Sequence, residues 1–171
     1  MHDFNDLEGL RIAIEMERRG EALYRKAARV SKKREVIDML ISLAADEVAH
    51  AAEFTRLYNE ALARRAGYAS YGEEASAYLS AVAADIVFPD GLMALREEGF
   101  DNVRAVLDYA IASEKDSILF YMELARLSSD QEARRVFLEI AEQERGHMRR
   151  LCRQRAELLI QPCRNTRIGS R

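Results

Sequence analysis

Glu17, Tyr24, Glu47 and His50 recur 97 positions later as Glu114, Tyr121, Glu144 and His147, with no gap in the register. In each copy a Tyr follows the first Glu by seven residues and a second Glu follows it by 30, with a His three residues beyond. Carboxylates with one imidazole per copy suit iron or manganese, with zinc as a further candidate, and no thiolate joins the set to select a structural zinc. Residues three apart share one side of a helix, so Glu47 points with His50 and Glu144 with His147. All of them fall inside apolar stripes, where a charge must be paired or bound to metal. Four glutamates would balance two divalent ions, so the repeat reads first as a site for two metal ions. Without metal the carboxylates would repel, and some are expected to stay protonated with raised pKa values. The competing reading is two satisfied core histidines among solvated glutamates. Tyr24 and Tyr121 could hydrogen-bond the ligand carboxylates and orient them; the alternative for each is an ordinary aromatic core position.

Helices must position these groups. Leu10, Ala13, Ile14, Glu17, Gly20, Tyr24, Ala27 and Ala28 follow the spacing of one helix face, which predicts a helix over about 6–30. Ser31 to Lys33 reads as a turn, and Val36, Leu40, Leu43, Glu47, His50, Phe54 and Leu57 mark a second helix that fades near Gly67. Tyr68 to Gly72 reads as loop, then a shorter helix runs to a break at Pro89, Asp90 and Gly91. A short helical piece is expected over 91–98, ended by Gly99, and Asp101 as the cap of the third long helix. Ser128, Ser129 and Asp130 form the next turn before a fourth long helix that Pro162 stops. Short turns make antiparallel neighbours, and a long crossover lets two hairpins assemble as one bundle. The expected fold is all-α: an antiparallel four-helix bundle over 1–160 with one long crossover containing short helical pieces. Residues 161–171 are expected to form a disordered tail. Aligning 10–50 on 107–147 gives twelve identities, which reads as an internal duplication about a pseudo-twofold axis.

Composition agrees with a helical protein: half apolar, a third charged, two Pro and eight Gly in 171 residues. A net charge of −3 gives no basic field for nucleic acid. Two cysteines eleven apart, Cys152 and Cys163, are neither a metal knuckle nor a disulfide framework, so a reducing, cytoplasmic setting is the expectation. The first residues lack the order of a signal peptide, and no apolar run reaches membrane-spanning length.

The stretches EMERRGEALYRKAA, LISLAADEVAH, AIASEKDSILFYMELA and FLEIAEQERGH resemble the rubrerythrin-like branch of the ferritin-like di-iron-carboxylate superfamily, over roughly residues 8–155. Two Glu plus two Glu-x-x-His pairs in a bundle is that superfamily's ligand pattern. The resemblance implies a ferritin-like four-helix bundle holding a di-iron centre, O2 or peroxide as oxidant, and a homo-oligomer, dimer or larger. By position it makes Glu17, Glu47, Glu114 and Glu144 ligand glutamates, and His50 and His147 ligand histidines. Two departures stand out. Rubrerythrins add a carboxylate three residues after the third-helix Glu; here Ser117 stands there, and Gly20 at its repeat partner, with Glu21 offset by one as a weak substitute. Full rubrerythrins also carry a rubredoxin-like domain with paired Cys-x-x-Cys, which this sequence lacks, so electrons would come from a separate donor. The implied function is oxidation of Fe(II) by peroxide or O2; the alternatives are metal storage or delivery without turnover, and a metal-stapled bundle that binds a partner.

Overall fold

In the computed structural model, residues 5–64, 70–87 and 103–160 are described, without the side chains of 82–87, 159 and 160. Five helices account for nearly all of them: α1 (Asp6–Val30), α2 (Arg34–Ala63), α3 (Glu73–Val87), α4 (Val103–Leu127) and α5 (Gln131–Ile160). Local chemistry sets the ends. The Asn5 side chain accepts from the Glu8 amide at 3.0 Å and starts α1, while the Asp130 carboxylate accepts from the amides of Glu132 and Ala133 and starts α5. Residues 31–33 and 128–130 are the two turns expected from the sequence. The expected piece over 91–98, its Gly99 end, the Asp101 cap and the tail over 161–171 lie outside the described residues.

α1 packs along α2, and α4 along α5, so each half of the duplication is a helical hairpin. The hairpins meet α1 to α4 and α2 to α5. Residue pairing gives the direction: Gly9 lies against Leu124, Glu17 against Tyr121 and Tyr24 against Glu114, so α1 and α4 run antiparallel. Gly9 permits this approach, since a β-carbon there would come within 2.7 Å of a Leu124 methyl. α2 and α5 are antiparallel as well, with Arg150 reaching Asp46, His50 facing Gln143 and Arg56 reaching Glu132.

The apolar interior has two parts. One gathers Leu10, Phe54, Phe120, Tyr121, Leu124, Phe137 and Ile140; the other gathers Leu23, Tyr24, Leu40, Leu43, Leu107, Ile111 and Leu151. Each half of the repeat supplies residues to both, so neither hairpin has a core of its own. At 25 cal/mol per Å² of apolar area, each fully buried Leu or Phe contributes about 1.5–3 kcal/mol, and these contributions arise mainly between helices. α3 adds Leu79 to the first cluster, and Tyr71 just before it donates a hydrogen bond to the buried Asp6 carboxylate. Between the two apolar parts lies a polar layer.

Candidate metal centre

That layer holds all six charged residues of the repeat. Glu17 and Glu114 come from α1 and α4, while Glu47 with His50 and Glu144 with His147 come from α2 and α5. All six are buried, between 1% and 4% exposed. Both histidines turn Nδ1 inward. His50 Nδ1 is 2.8 Å from Glu144, 3.4 Å from Glu17 and 3.6 Å from Glu47. His147 Nδ1 is 2.8 Å from Glu144, 3.3 Å from Glu47 and 3.5 Å from Glu114. The rings stack with centroids 5.6 Å apart and planes 16° from parallel.

These side chains form two overlapping groups. Glu17, Glu47, His50 and Glu144 can direct one atom each to a common point, and so can Glu47, Glu114, Glu144 and His147, with donor atoms within 4.8 Å of one another. Glu47 and Glu144 are common to both groups; Glu17 and Glu114 serve one each. Four inward atoms, His50 Nδ1, His147 Nδ1 and both Glu144 oxygens, are buried without a hydrogen bond. Buried polar atoms are normally satisfied. Buried carboxylate and imidazole atoms converging on common points, four of them outside any well-formed hydrogen bond, fit a bound cation, and the mixed set fits iron or manganese.

The tyrosines link the halves. Tyr24 on α1 donates its phenol hydrogen to Glu114 on α4, and Tyr121 on α4 donates to Glu17 on α1. Burial and the neighbouring carboxylates hold both phenols well above their usual pKa, so they remain donors. Each tyrosine thus fixes the glutamate that belongs to a single group, leaving one oxygen of that glutamate for a ligand. Glu21 stands apart: its carboxylate pairs with Arg25 at 2.7 Å on the surface of α1. Ser117 donates back to the Ser113 carbonyl at 3.1 Å, and Gly20 lies beside Glu47, where a β-carbon would come within 3.3 Å of the carboxylate carbon. No additional carboxylate enters from either repeat position.

Comparison with known proteins agrees with this arrangement. Residues 105–159, which carry Glu114, Glu144 and His147, match the sequence profile of the family described as Rubrerythrin. A Thermotoga maritima protein with a crystal structure, inferred to be a ferritin-like diiron-carboxylate protein, superimposes with a TM-score of 0.68 at 26% identity. The match covers 92% of this chain and 99% of the other. Residues 105–159 are thus rubrerythrin-like in sequence, and the chain has a ferritin-like fold. No curated protein matches it in sequence.

Electrostatics in this rubrerythrin-like centre divide the carboxylates into two kinds. Burial, with the neighbouring carboxylates, pushes Glu17 and Glu114 well above the usual range, so they hold protons in the absence of metal. Burial opposes ionisation of Glu47 and Glu144 too, but there it is outweighed. Contacts with Glu17 and both imidazoles bring Glu47 below its usual value, and contacts with His147 and His50 bring Glu144 further down. Burial alone would lower the histidines; their carboxylate contacts instead push His147 up to about 12 and His50 higher still. The shifts favour charge pairing within the centre, the imidazoles toward their protonated form, Glu47 and Glu144 toward carboxylates, and Glu17 and Glu114 toward acids. The sequence foresaw raised carboxylates, and this holds for the glutamates serving one group. The expectation covered only some of the carboxylates, and contacts with the imidazoles keep Glu47 and Glu144 out of that set.

Two residues of the rim escaped sequence reading. The outward Nε2 of His50 is 3.0 Å from the Gln143 amide oxygen, and that of His147 is 3.3 Å from the Asp46 carboxylate. Both precede the shared Glu of their own helix. The repeat register could have flagged positions 46 and 143, but a helix face alone would have paired Asp46 with its own His50, four residues on. Among the described residues no helix is long and apolar enough to cross a membrane.

Proposed function

We propose that this chain is a di-iron-carboxylate redox protein that oxidises bound Fe(II) with peroxide or O2. The observation that supports this most directly is the pair of overlapping donor groups that share Glu47 and Glu144. Two iron ions bound there would supply the electrons for reducing the oxidant. Glu17 with His50 would hold one ion and Glu114 with His147 the other, with Glu47 and Glu144 available to both. With Nε2–H of His50 donating to Gln143, and Nε2 of His147 3.3 Å from the Asp46 carboxylate, each ring would keep its Nδ1 lone pair inward. Tyr24 and Tyr121 hold Glu114 and Glu17 in place, and the apolar parts on both sides exclude bulk water. Gly20 leaves the Glu47 carboxylate its place, since a β-carbon there would come within 3.3 Å of the carboxylate carbon. Divalent cations bound there would compete with protons on both imidazoles and on the Glu17 and Glu114 carboxyls. An external reductant would return the centre to the ferrous state for further turnover.

The test is anaerobic loading with Fe(II), followed by rapid mixing with O2 or with peroxide while the absorbance is followed. Rapid oxidation at two irons per chain, reversed by a reductant, supports the redox reading. Uptake far beyond two irons per chain would replace it with storage, and absence of any optical change would leave the metals a purely structural role.

A further inference from the structure

The two halves match at every donor position, but not at the rim. Position 46 is Asp and its repeat partner, 143, is Gln. Across the helix pair each faces the outer nitrogen of the other half's histidine: Asp46 Oδ2 lies 3.3 Å from His147 Nε2, and Gln143 Oε1 lies 3.0 Å from His50 Nε2. The Asp46 carboxylate is itself held by Arg150 at 2.8 Å. The repeat partner of Arg150 is Glu53, which pairs with Arg56 on its own helix. One imidazole is thus backed by a carboxylate and a guanidinium, the other by a neutral amide.

This difference reaches the inward nitrogen. A carboxylate 3.3 Å from an imidazole nitrogen attracts its N–H proton electrostatically even without a well-aligned hydrogen bond, which a neutral amide does only weakly, and this raises the basicity of the opposite ring nitrogen. Groups that orient ligating histidines in this way alter metal affinity by about 10–100-fold when removed. Asp46 is 40% exposed, and Arg150 draws on the same carboxylate, so the effect belongs at the lower end of that range. The four glutamates and two tyrosines are matched between halves and cannot distinguish the positions by residue type.

On the reading that the centre holds two metals, we propose that its two positions are inequivalent. The one served by His147 and Glu114 fills first and binds more tightly, with Asp46 as its positioning residue. The position served by His50 and Glu17 is the weaker because Gln143 offers only an amide oxygen.

The test uses the whole chain, titrated anaerobically with Co(II), whose visible absorption reports each ligand set, with calorimetry run in parallel. Wild type should bind two Co(II) with dissociation constants about tenfold apart. His147→Ala should remove the tight phase, and His50→Ala the weak one. Asp46→Asn should bring the two constants within about threefold and shift the band of the first-bound ion, with stoichiometry still two. Gln143→Glu should tighten the weak phase. Equal constants in wild type, or an unchanged gap and unchanged first band in Asp46→Asn, would overturn the inequivalence and leave the two-metal reading intact. Failure of wild type to bind two Co(II) would overturn the two-metal reading itself.

Discussion

The hairpin of α1 and α2 and the hairpin of α4 and α5 bring the same polar residues to the buried centre and different ones to the surface beside it. Inside, Glu17, Tyr24, Glu47 and His50 are matched one for one. Outside, the exposed positions Ile41, Ser42, Ala45, Val48, Ala49 and Ala52 make an uncharged strip along α2. Their repeat partners on α5 include Glu139, Glu142, Arg145 and Arg149, a charged strip bound by its own ion pairs. The two halves were free to diverge where water is the neighbour. They stayed alike where one half's tyrosine must meet the other half's glutamate, because a change on one side leaves a buried carboxyl unsatisfied on the other.

The largest effect should come from breaking the shared carboxylates. Glu47→Ala or Glu144→Ala should abolish binding of two metals, whereas Glu17→Ala or Glu114→Ala should weaken one position each. Elemental analysis after anaerobic loading measures this, with circular dichroism showing that the bundle remains helical. Two metals per chain in the Glu144→Ala protein would remove the ligand assignment.

Changes of pH come next. In the metal-free protein His147 and His50, with raised pKa values, keep protons that the unfolded chain loses near 6.5. Glu17 and Glu114 keep protons that it loses near 4.5. The native state then binds more protons, so stability should fall as pH rises from neutral, by about 1.4 kcal/mol per pH unit for each proton fully retained. Glu144 acts in the opposite direction: its lowered pKa contributes stability above 4.5 that is lost as pH falls. Metal removes the retained protons, so the loaded protein should lose this alkaline decline. Urea unfolding at pH 6, 7, 8 and 9, with and without metal, checks both curves; an apo protein that gains stability with pH would contradict the imidazolium assignment.

Tyr24→Phe and Tyr121→Phe should each cost about 1–3 kcal/mol, since each leaves a buried carboxyl without its donor. The symmetric geometry calls for similar costs, and unequal values from denaturant melts would locate an asymmetry that the distances do not show.

The smallest effects belong at the unmatched inner pair. Ser117→Ala should change stability by less than about 0.5 kcal/mol, because its hydroxyl only bonds back to its own helix. Gly20→Ala gains about 1 kcal/mol of helix propensity but places a β-carbon against the Glu47 carboxylate. Thermal melts should therefore show a change within about 1 kcal/mol, while metal titration shows weaker binding.

The sequence by itself determined the helices, their turns and the candidate metal residues. Those depend on local quantities: a 3.6-residue period, caps such as Asn5 and Asp130, and charged groups placed inside apolar stripes. It also determined that the two halves are copies. Only the tertiary structure decided which copy each residue serves. Tyr24 meets Glu114 and Asp46 meets His147, because antiparallel crossing of the hairpins brings together residues roughly 90 to 100 apart, a distance that no helical period encodes. The division of the glutamates into a shared, ionised pair and a protonated pair also depends on the fold. Identical residue types acquire different pKa values only once burial and imidazole contacts are distributed in space.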